Sequence, residues 1–219
     1  MSLELVLSNV VIAARQFNPS VIGQLWLVRN GLLGEDDFLQ GCYFTDMAVQ
    51  IKSREFDLMV VPPQCQFSPR VAQDQEQNLL VEKVGTIAKL LSHTPYQAIG
   101  LNFTWHLIPE DTDVHTISRE WFYKEDGPLH REFDIENARY GAYMSKDAWG
   151  GRLKLDVKPV SIDREGEKYE IIQFAFNFHR DVVDEENPVA CIEQTLRQWN
   201  NVRDESSRIA HATITGEPA

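Results

Sequence analysis

Three segments of the chain alternate strictly between apolar and polar residues, a pattern typical of β-strands with one buried face. In residues 96–107 the apolar positions are Ile99, Leu101, Phe103, Trp105 and Leu107. Residues 151–160 and 169–179 alternate in the same way, and the segment Asp163-Arg164-Glu165-Gly166-Glu167 predicts a turn that joins these two strands into a hairpin. Because each segment has a polar side, we expect an antiparallel sheet with one solvated face. Further strands are expected at residues 3–14, 43–52, 56–61 and 138–145.

Helix starts are indicated where a capping side chain directly precedes a proline. Asn18-Pro19, Ser68-Pro69 and Asn187-Pro188 all show this arrangement, in which the first residue accepts a backbone N–H and the proline occupies the first turn. Apolar residues three and four positions apart follow each pair, which predicts three helices. A fourth and shorter helix is expected over residues 112–123.

These elements follow one another in the order β-α-β-β-α over residues 1–95 and β-α-β-β-β-α over residues 96–219. No linker rich in Pro, Gly or Ser separates the two parts. We therefore predict a single compact α+β domain spanning residues 1–219 and made of two similar halves. It should contain a mostly antiparallel sheet of about 6–7 strands, with about four helices covering one face.

The order of elements resembles that of duplicated, saddle-shaped sheet folds such as the TATA-box-binding protein. The resemblance rests on the two successive β-α-β-β units and covers element order alone, since no sequence motif accompanies it. It implies two halves that share one sheet. Because fold does not determine function, it carries no activity over to this chain.

Composition restricts the classes of partner. The chain has 219 residues, with 33 Asp and Glu against 21 Lys and Arg, so its formal net charge is −12. Such a surface repels phosphate backbones, and we expect no nucleic-acid partner. The apolar residues 3–14 are too few to cross a bilayer and no basic segment precedes them, so we expect no membrane association.

The cysteines suggest a reducing compartment. Cys42, Cys65 and Cys191 are odd in number, are scattered along the chain, and show no metal-ligand spacing. We therefore expect free thiols, no structural metal and a cytoplasmic location.

Most sequence motifs that identify enzymes are missing. The chain has no Gly-x-x-x-x-Gly-Lys phosphate loop, no Gly-x-Gly-x-x-Gly turn, no Gly-x-Ser-x-Gly elbow and no His-Glu-x-x-His pair. The sequence therefore predicts no catalytic residue and no cofactor.

Two charged clusters allow alternative interpretations. The segment Glu110-Asp111-Thr112-Asp113-Val114-His115 could supply metal ligands, or its acids could cap the helix that follows. Arg152, Lys154 and Lys158 form a basic stripe, interrupted by Asp156, that could contact a phosphate or an acidic partner. The same stripe could instead be the solvated face of a strand.

Polar residues on the other side of two alternating strands form the main candidate site. They are Asn102, Thr104, His106, Gln173, Asn177 and His179. If the aromatic residues of both strands pack under the same helices, these six side chains emerge on the opposite face of one sheet. The small residues Ala98, Gly100 and Ala175 would leave room for a ligand or a partner there.

The leading hypothesis is therefore a non-catalytic binding or assembly protein that acts through this polar face, with a protein partner or by self-association as a homodimer. An alternative is a small-molecule-binding enzyme that uses His106 and His179 as acid and base. A further alternative, based on charge alone, is an acidic protein that mimics nucleic acid in order to inhibit another protein.

Overall fold

The computed structural model describes residues 1–110, 112–164 and 166–216. Within these residues, nine strands form one antiparallel sheet in the order β2-β3-β4-β5-β1-β6-β9-β8-β7. Their bounds are β1 Ser2–Ala14, β2 Tyr43–Phe44, β3 Val49–Lys52, β4 Phe56–Val61, β5 Gln64–Pro69, β6 Tyr96–Ile108, β7 Ala142–Ala148, β8 Gly151–Arg164 and β9 Glu167–Asp181.

Six α-helices accompany the sheet in the described part of the chain. Their bounds are α1 Gln24–Arg29, α2 Gln73–Leu90, α3 Val114–Phe122, α4 Pro128–Arg131, α5 Pro188–Leu196 and α6 Trp199–Thr215. None of them is long and apolar enough to cross a membrane. The α+β class with a large antiparallel sheet is therefore confirmed.

The two halves of the chain have the same strand order, counted outward from the centre of the sheet. β1 and β6 pair with each other at the centre. On one side β5, β4 and β3 follow β1, and on the other side β9, β8 and β7 follow β6. The last strand of each half is followed by a long helix. In the first half α2 follows β5, and in the second half α6 follows β9 after the shorter α5. Strands from residues 1–95 and strands from residues 96–219 thus lie in one sheet.

The aromatic side of β6 and β9 forms the core beneath the helices. Phe103, Phe174, Phe176 and Phe178 are each no more than 2% exposed, as strand alternation predicts. The ring of Phe103 lies 4.5 Å from that of Trp199 on α6. Trp105 donates its indole N–H to Ser206 Oγ on the same helix. Burial of these large rings supplies much of the apolar area that drives folding.

A buried carboxylate joins the helical layer to the sheet. Glu76 on α2 is 5% exposed. It accepts hydrogen bonds from the indole N–H of Trp199 at 2.9 Å and from Ser8 Oγ on β1 at 3.3 Å. A buried carboxylate needs such partners, because leaving a buried polar group unpaired costs about 1–3 kcal/mol and leaving a charged one unpaired costs more. Glu76 thereby holds α2, α6 and β1 in fixed positions.

The sheet has nine strands and not the six or seven expected. The pattern predicts one strand over residues 43–52, but a turn divides it into β2 and β3. Thr45 closes this turn, because its backbone and side chain both bond to Ala48. β5 is the other addition. Its backbone pairs with both β1 and β4, with Phe67 opposite Val10 and Leu58.

The predicted helix starts agree with the structure in two of four cases. Asn187 caps α5 by accepting the backbone N–H of Ala190, and Asp113 caps α3 in the same way. The start predicted at Ser68-Pro69 is wrong, because strand pairing places both residues at the end of β5. Asn18 caps a single 3₁₀ turn, and α1 begins separately after Gly23.

The hairpin predicted between the strands at 151–160 and 169–179 is present. β8 and β9 pair as far as Arg164 opposite Glu167. Asp163 accepts the backbone N–H of Gly166 at the turn. Glu165, which the prediction also includes in this turn, lies outside the described residues.

Candidate functional site

The structure brings the six predicted residues onto two adjacent strands. β6 pairs directly with β9, with Asn102 opposite Asn177 and His106 opposite Gln173. Thr104 lies opposite Ala175, and His179 lies opposite Gly100. All six side chains are half-buried and point away from the aromatic core. We call this side of the sheet the open face, represented by Asn102, Thr104, His106, Gln173, Asn177 and His179.

Side-chain amides link three strands at the centre of the open face. Asn177 Nδ2 donates to Asn102 Oδ1 over 2.7 Å, and Asn102 Nδ2 donates to Asn9 Oδ1 over 2.8 Å. Asn9 belongs to β1 and is only 6% exposed. We call Asn9, Asn102 and Asn177 the amide ladder. Each link orients the next amide, because an amide oxygen accepts while the nitrogen donates.

A glycine provides the space that the amide ladder needs. A Cβ on Gly100 would lie 3.0 Å from Asn177 Nδ2. Because Gly100 has no side chain, the Asn177 amide reaches along β6 toward Asn102. The space beside Gly100 is thus occupied by a side chain of the protein itself and is not left open for a ligand or a partner.

Asn9 is the site residue that sequence patterns miss. It lies within the apolar run of β1, next to Ser8, and no period-two set of polar residues includes it. The irregular register between Leu5 and Leu7 in the β1–β6 pairing shifts the alternation. Only the pairing of Asn9 with Asn102 shows which face it occupies.

His106 lies at one end of this face, in a partly desolvated position. Its Nε2 is 3.4 Å from Gln173 Oε1, whereas its Nδ1 is buried without a hydrogen-bond partner among the described residues. Burial lowers the pKa of this imidazole, and the bond to Gln173 partly opposes the shift. The ion pair between Arg164 and Glu4 lies at the same end. His106 is therefore favoured in its neutral form.

His179 lies far from His106 along the same strand pair. Gln173, the partner of His106, is six residues from His179, and this spacing corresponds to about 20 Å at 3.3–3.4 Å per residue. His179 Nε2 instead contacts Asp181 at 3.0 Å. Acid and base groups must both reach the reacting atoms. The geometry therefore does not favour the alternative in which these two imidazoles act together.

Most charges on the open face are neutralised by neighbours on the same face. Lys52 pairs with Asp57 at 2.6 Å, and Arg152 pairs with Asp147 at 2.8 Å. Lys158 and Asp156 form another ion pair. These contacts leave the face close to electrical neutrality although the chain carries −12 overall. The acidic excess therefore lies mainly on other surfaces.

Lys154 differs from the other members of the basic stripe. It lies on β8 opposite Asn177, so it continues the row of the amide ladder across a fourth strand. Its ammonium makes no hydrogen bond or ion pair with the rest of the described chain. The row Asn9, Asn102, Asn177 and Lys154 thus ends in an uncompensated positive charge.

The acidic cluster near residue 110 has structural partners. Asp113 caps α3 through the backbone N–H of Thr116 at 2.9 Å, and Glu110 pairs with the N-terminal amine at 2.9 Å. Asp111 lies outside the described residues. No group of three or more potential metal ligands is found in the remainder. The capping interpretation is thus the one that Asp113 fits.

All three cysteines are free thiols. Cys65 and Cys191 are buried, whereas Cys42 is only half-buried. Burial raises the pKa of Cys65 to about 12, so this thiol stays protonated and unreactive at neutral pH.

Comparison with protein families, curated proteins and solved structures finds no match to this chain.

Proposed function

We propose that this is a non-catalytic binding protein and that its open face docks a protein partner. The observation that carries the proposal is the row formed by the amide ladder and Lys154. Its amides are fixed by one another at 2.7 and 2.8 Å, and its lysine has no partner in the described chain. A row of this kind offers ordered polar groups at little entropic cost.

The shape of the face favours a protein over a small ligand. Nine strands at about 4.8 Å spacing make a sheet about 40 Å wide. A strip of this face only about 20 Å long, or six residues per strand at 3.3–3.4 Å per residue, already has about the 800 Å² that a standard interface uses on each partner. Small molecules favour concave pockets that bury most of their surface, whereas β6 and β9 present a broad paired surface.

The charges of the chain and of its open face indicate which kind of partner would bind. The net charge of −12 disfavours nucleic acid, and Lys154 is a cation of the open face that has no ion-pair partner among the described residues. A partner that brings a carboxylate to Lys154 and backbone carbonyl or N–H groups to Asn102 and Asn177 would complement this row. We therefore propose a protein surface carrying an acidic side chain as the occupant.

Site-specific photo-crosslinking in the native host tests this proposal. A photoreactive side chain at Ala175, in the middle of the open face, should yield a discrete protein adduct. The same group at the exposed Asp204 of α6 serves as the control. Identical adducts from both positions, or none from Ala175, would refute a partner on the open face.

A further inference from the structure

β7 forms one edge of the sheet and exposes nearly its whole length. β8 is its only strand neighbour in the described chain, and all five residues from Tyr143 to Asp147 are exposed. Two of them are large and apolar: Tyr143 is 65% exposed and Met144 is 49% exposed. An edge of this kind presents unpaired N–H and C=O groups to another strand.

The turn between β7 and β8 determines which backbone groups are free. Trp149 and Gly150 have φ angles of 48° and 74°, as a two-residue type I′ turn requires. Ala148 and Gly151 flank this turn and are paired, so they form a hydrogen-bonded pair. Alternation along the strand then directs the N–H and C=O groups of Tyr143, Ser145 and Asp147 outward.

Two common protections of an edge strand, a proline and a β-bulge, are missing from β7. It contains no proline, and its register with β8 is continuous from Ala142 to Ala148 without a bulge. Its one lysine, Lys146, is held by Glu205 of α6 at 2.8 Å and does not project freely. At the opposite edge β2 has only two residues, and such a short strand is itself a protection.

We propose that β7 pairs with β7 of a second copy of this chain, antiparallel and with a two-fold axis at Ser145. In this register all seven residues of both strands overlap. Ser145 meets Ser145 of the other copy, and Tyr143 meets Asp147. The three outward-facing residues of each strand then form about six backbone hydrogen bonds.

Side chains are compatible with this register and less so with its neighbours. Asp147 uses Oδ1 for Arg152, which leaves Oδ2 to accept from the Tyr143 hydroxyl of the other copy. Lys146 of one copy would lie opposite Met144 of the other copy. Moving the axis by one position toward Lys146 would place two lysines opposite each other, and moving it toward Met144 would leave fewer hydrogen-bonded pairs. An isologous contact of this kind closes on itself and yields a dimer.

The dimer goes beyond the docking proposed for the open face. Its two-fold axis is perpendicular to the sheet, because the two β7 strands pair antiparallel as neighbours in one continuous sheet. Both open faces therefore point in the same direction and stay free. The assembly would present two copies of the amide ladder to one partner surface, and two linked contacts bind more tightly than one.

Mass measurement on the purified full chain tests the dimer. At about 50 μM the wild type should have twice the chain mass of 25.2 kDa. Ser145→Pro removes an outward N–H without touching the bonds to β8, and should give a monomer. Ser145→Ala keeps that N–H and should remain a dimer. A monomeric wild type, or a dimer that Ser145→Pro leaves intact, would overturn the proposal.

Disulfide capture keeps the test decisive if Ser145→Pro fails to fold. Cα atoms of a hydrogen-bonded antiparallel pair lie about 5.5 Å apart, which suits a disulfide. Mild oxidation of Ser145→Cys should therefore give a covalent dimer that reductant cleaves. Wild type and Tyr43→Cys, at the other edge, should stay uncrosslinked. Absence of a Ser145→Cys dimer, or equal crosslinking of Tyr43→Cys, would contradict this register.

Discussion

The side-chain amide of Asn177 donates a hydrogen bond to Asn102 Oδ1 over 2.7 Å, although 75 positions separate the two residues in the chain. The bond crosses the pairing between β6 and β9. Asn102 in turn donates its own side-chain N–H to Asn9 Oδ1 of β1. A surface feature of the open face thus also joins three strands at the centre of the sheet.

Removing the middle amide should destabilise the protein. Asn102→Ala deprives Asn9, which is 6% exposed, of its partner. Loss of one partner of a buried polar group costs about 1–3 kcal/mol, and urea unfolding should show this decrease. Thr104→Ala on the same strand and face is the matched control and should change stability by less than about 0.5 kcal/mol. Equal effects of both substitutions would contradict a structural role for the ladder.

Two neighbouring glycines should respond to alanine for different reasons. A Cβ on Gly151 would lie 2.6 Å from the carbonyl oxygen of His179, so Gly151→Ala forces β8 and β9 apart and should cost at least about 1–3 kcal/mol. Gly150 has open space but a φ of +74°, so Gly150→Ala should cost only about 1 kcal/mol. Thermal unfolding of both variants shows which one loses more stability, and we expect the larger loss for Gly151→Ala. A larger loss for Gly150→Ala would contradict the close approach at Gly151.

The acid sensitivity of the fold should depend on His106. Burial lowers its pKa below the ordinary value of 6.5, so the unfolded chain takes up a proton at a higher pH than the folded chain. The free energy of unfolding therefore falls as pH drops below about 6.5, and this fall ends below the folded-state pKa. His106→Gln should reduce the loss between pH 7.5 and 5. Urea unfolding of wild type and of His106→Gln at both pH values measures this difference in the free energy of unfolding.

The exposed His93 provides the control for that experiment. His93→Gln should leave the difference between the two pH values unchanged. If both variants behave like wild type, the imidazole of His106 is not the group that links stability to pH.

Glu76 should be essential for docking the helical layer. Glu76→Ala leaves the Trp199 indole N–H without its acceptor, and a buried donor left without a partner costs about 1–3 kcal/mol. The change should appear in unfolding followed by tryptophan fluorescence. Glu82→Ala, on an exposed side of the same helix, should have little effect. Similar losses for the two glutamates would show that Glu76 does not act through its buried contacts.

Local patterns predict much of the fold, because they record which face of each strand is buried. Phe103 and Phe176 lie in the core, and Asn102 and Asn177 lie opposite, as period-two alternation requires. The cap at Asn187 needs only a short stretch of chain. Features of this kind depend on neighbours in sequence and are therefore visible there.

Features that depend on distant residues are missed. Ser68-Pro69 has the local form of a helix start, yet its backbone pairs with β4, with Ser68 opposite Asp57. Asn9 lies in an apolar run, and only its pairing with β6 reveals its place on the open face. The six candidate residues could be assigned to one face from alternation. Their register, and hence the distance between His106 and His179, required the strand pairing.

The central claim is that the open face binds a protein through the amide ladder and Lys154. The most direct test is the amount of specific partner that purifies with Lys154→Glu compared with Lys168→Glu, an identical charge change on the opposite side of an adjacent strand. We predict that Lys154→Glu lowers partner recovery at least about tenfold, the loss expected for a central interface charge, while Lys168→Glu matches wild type. Equal recovery with both variants would contradict the claim.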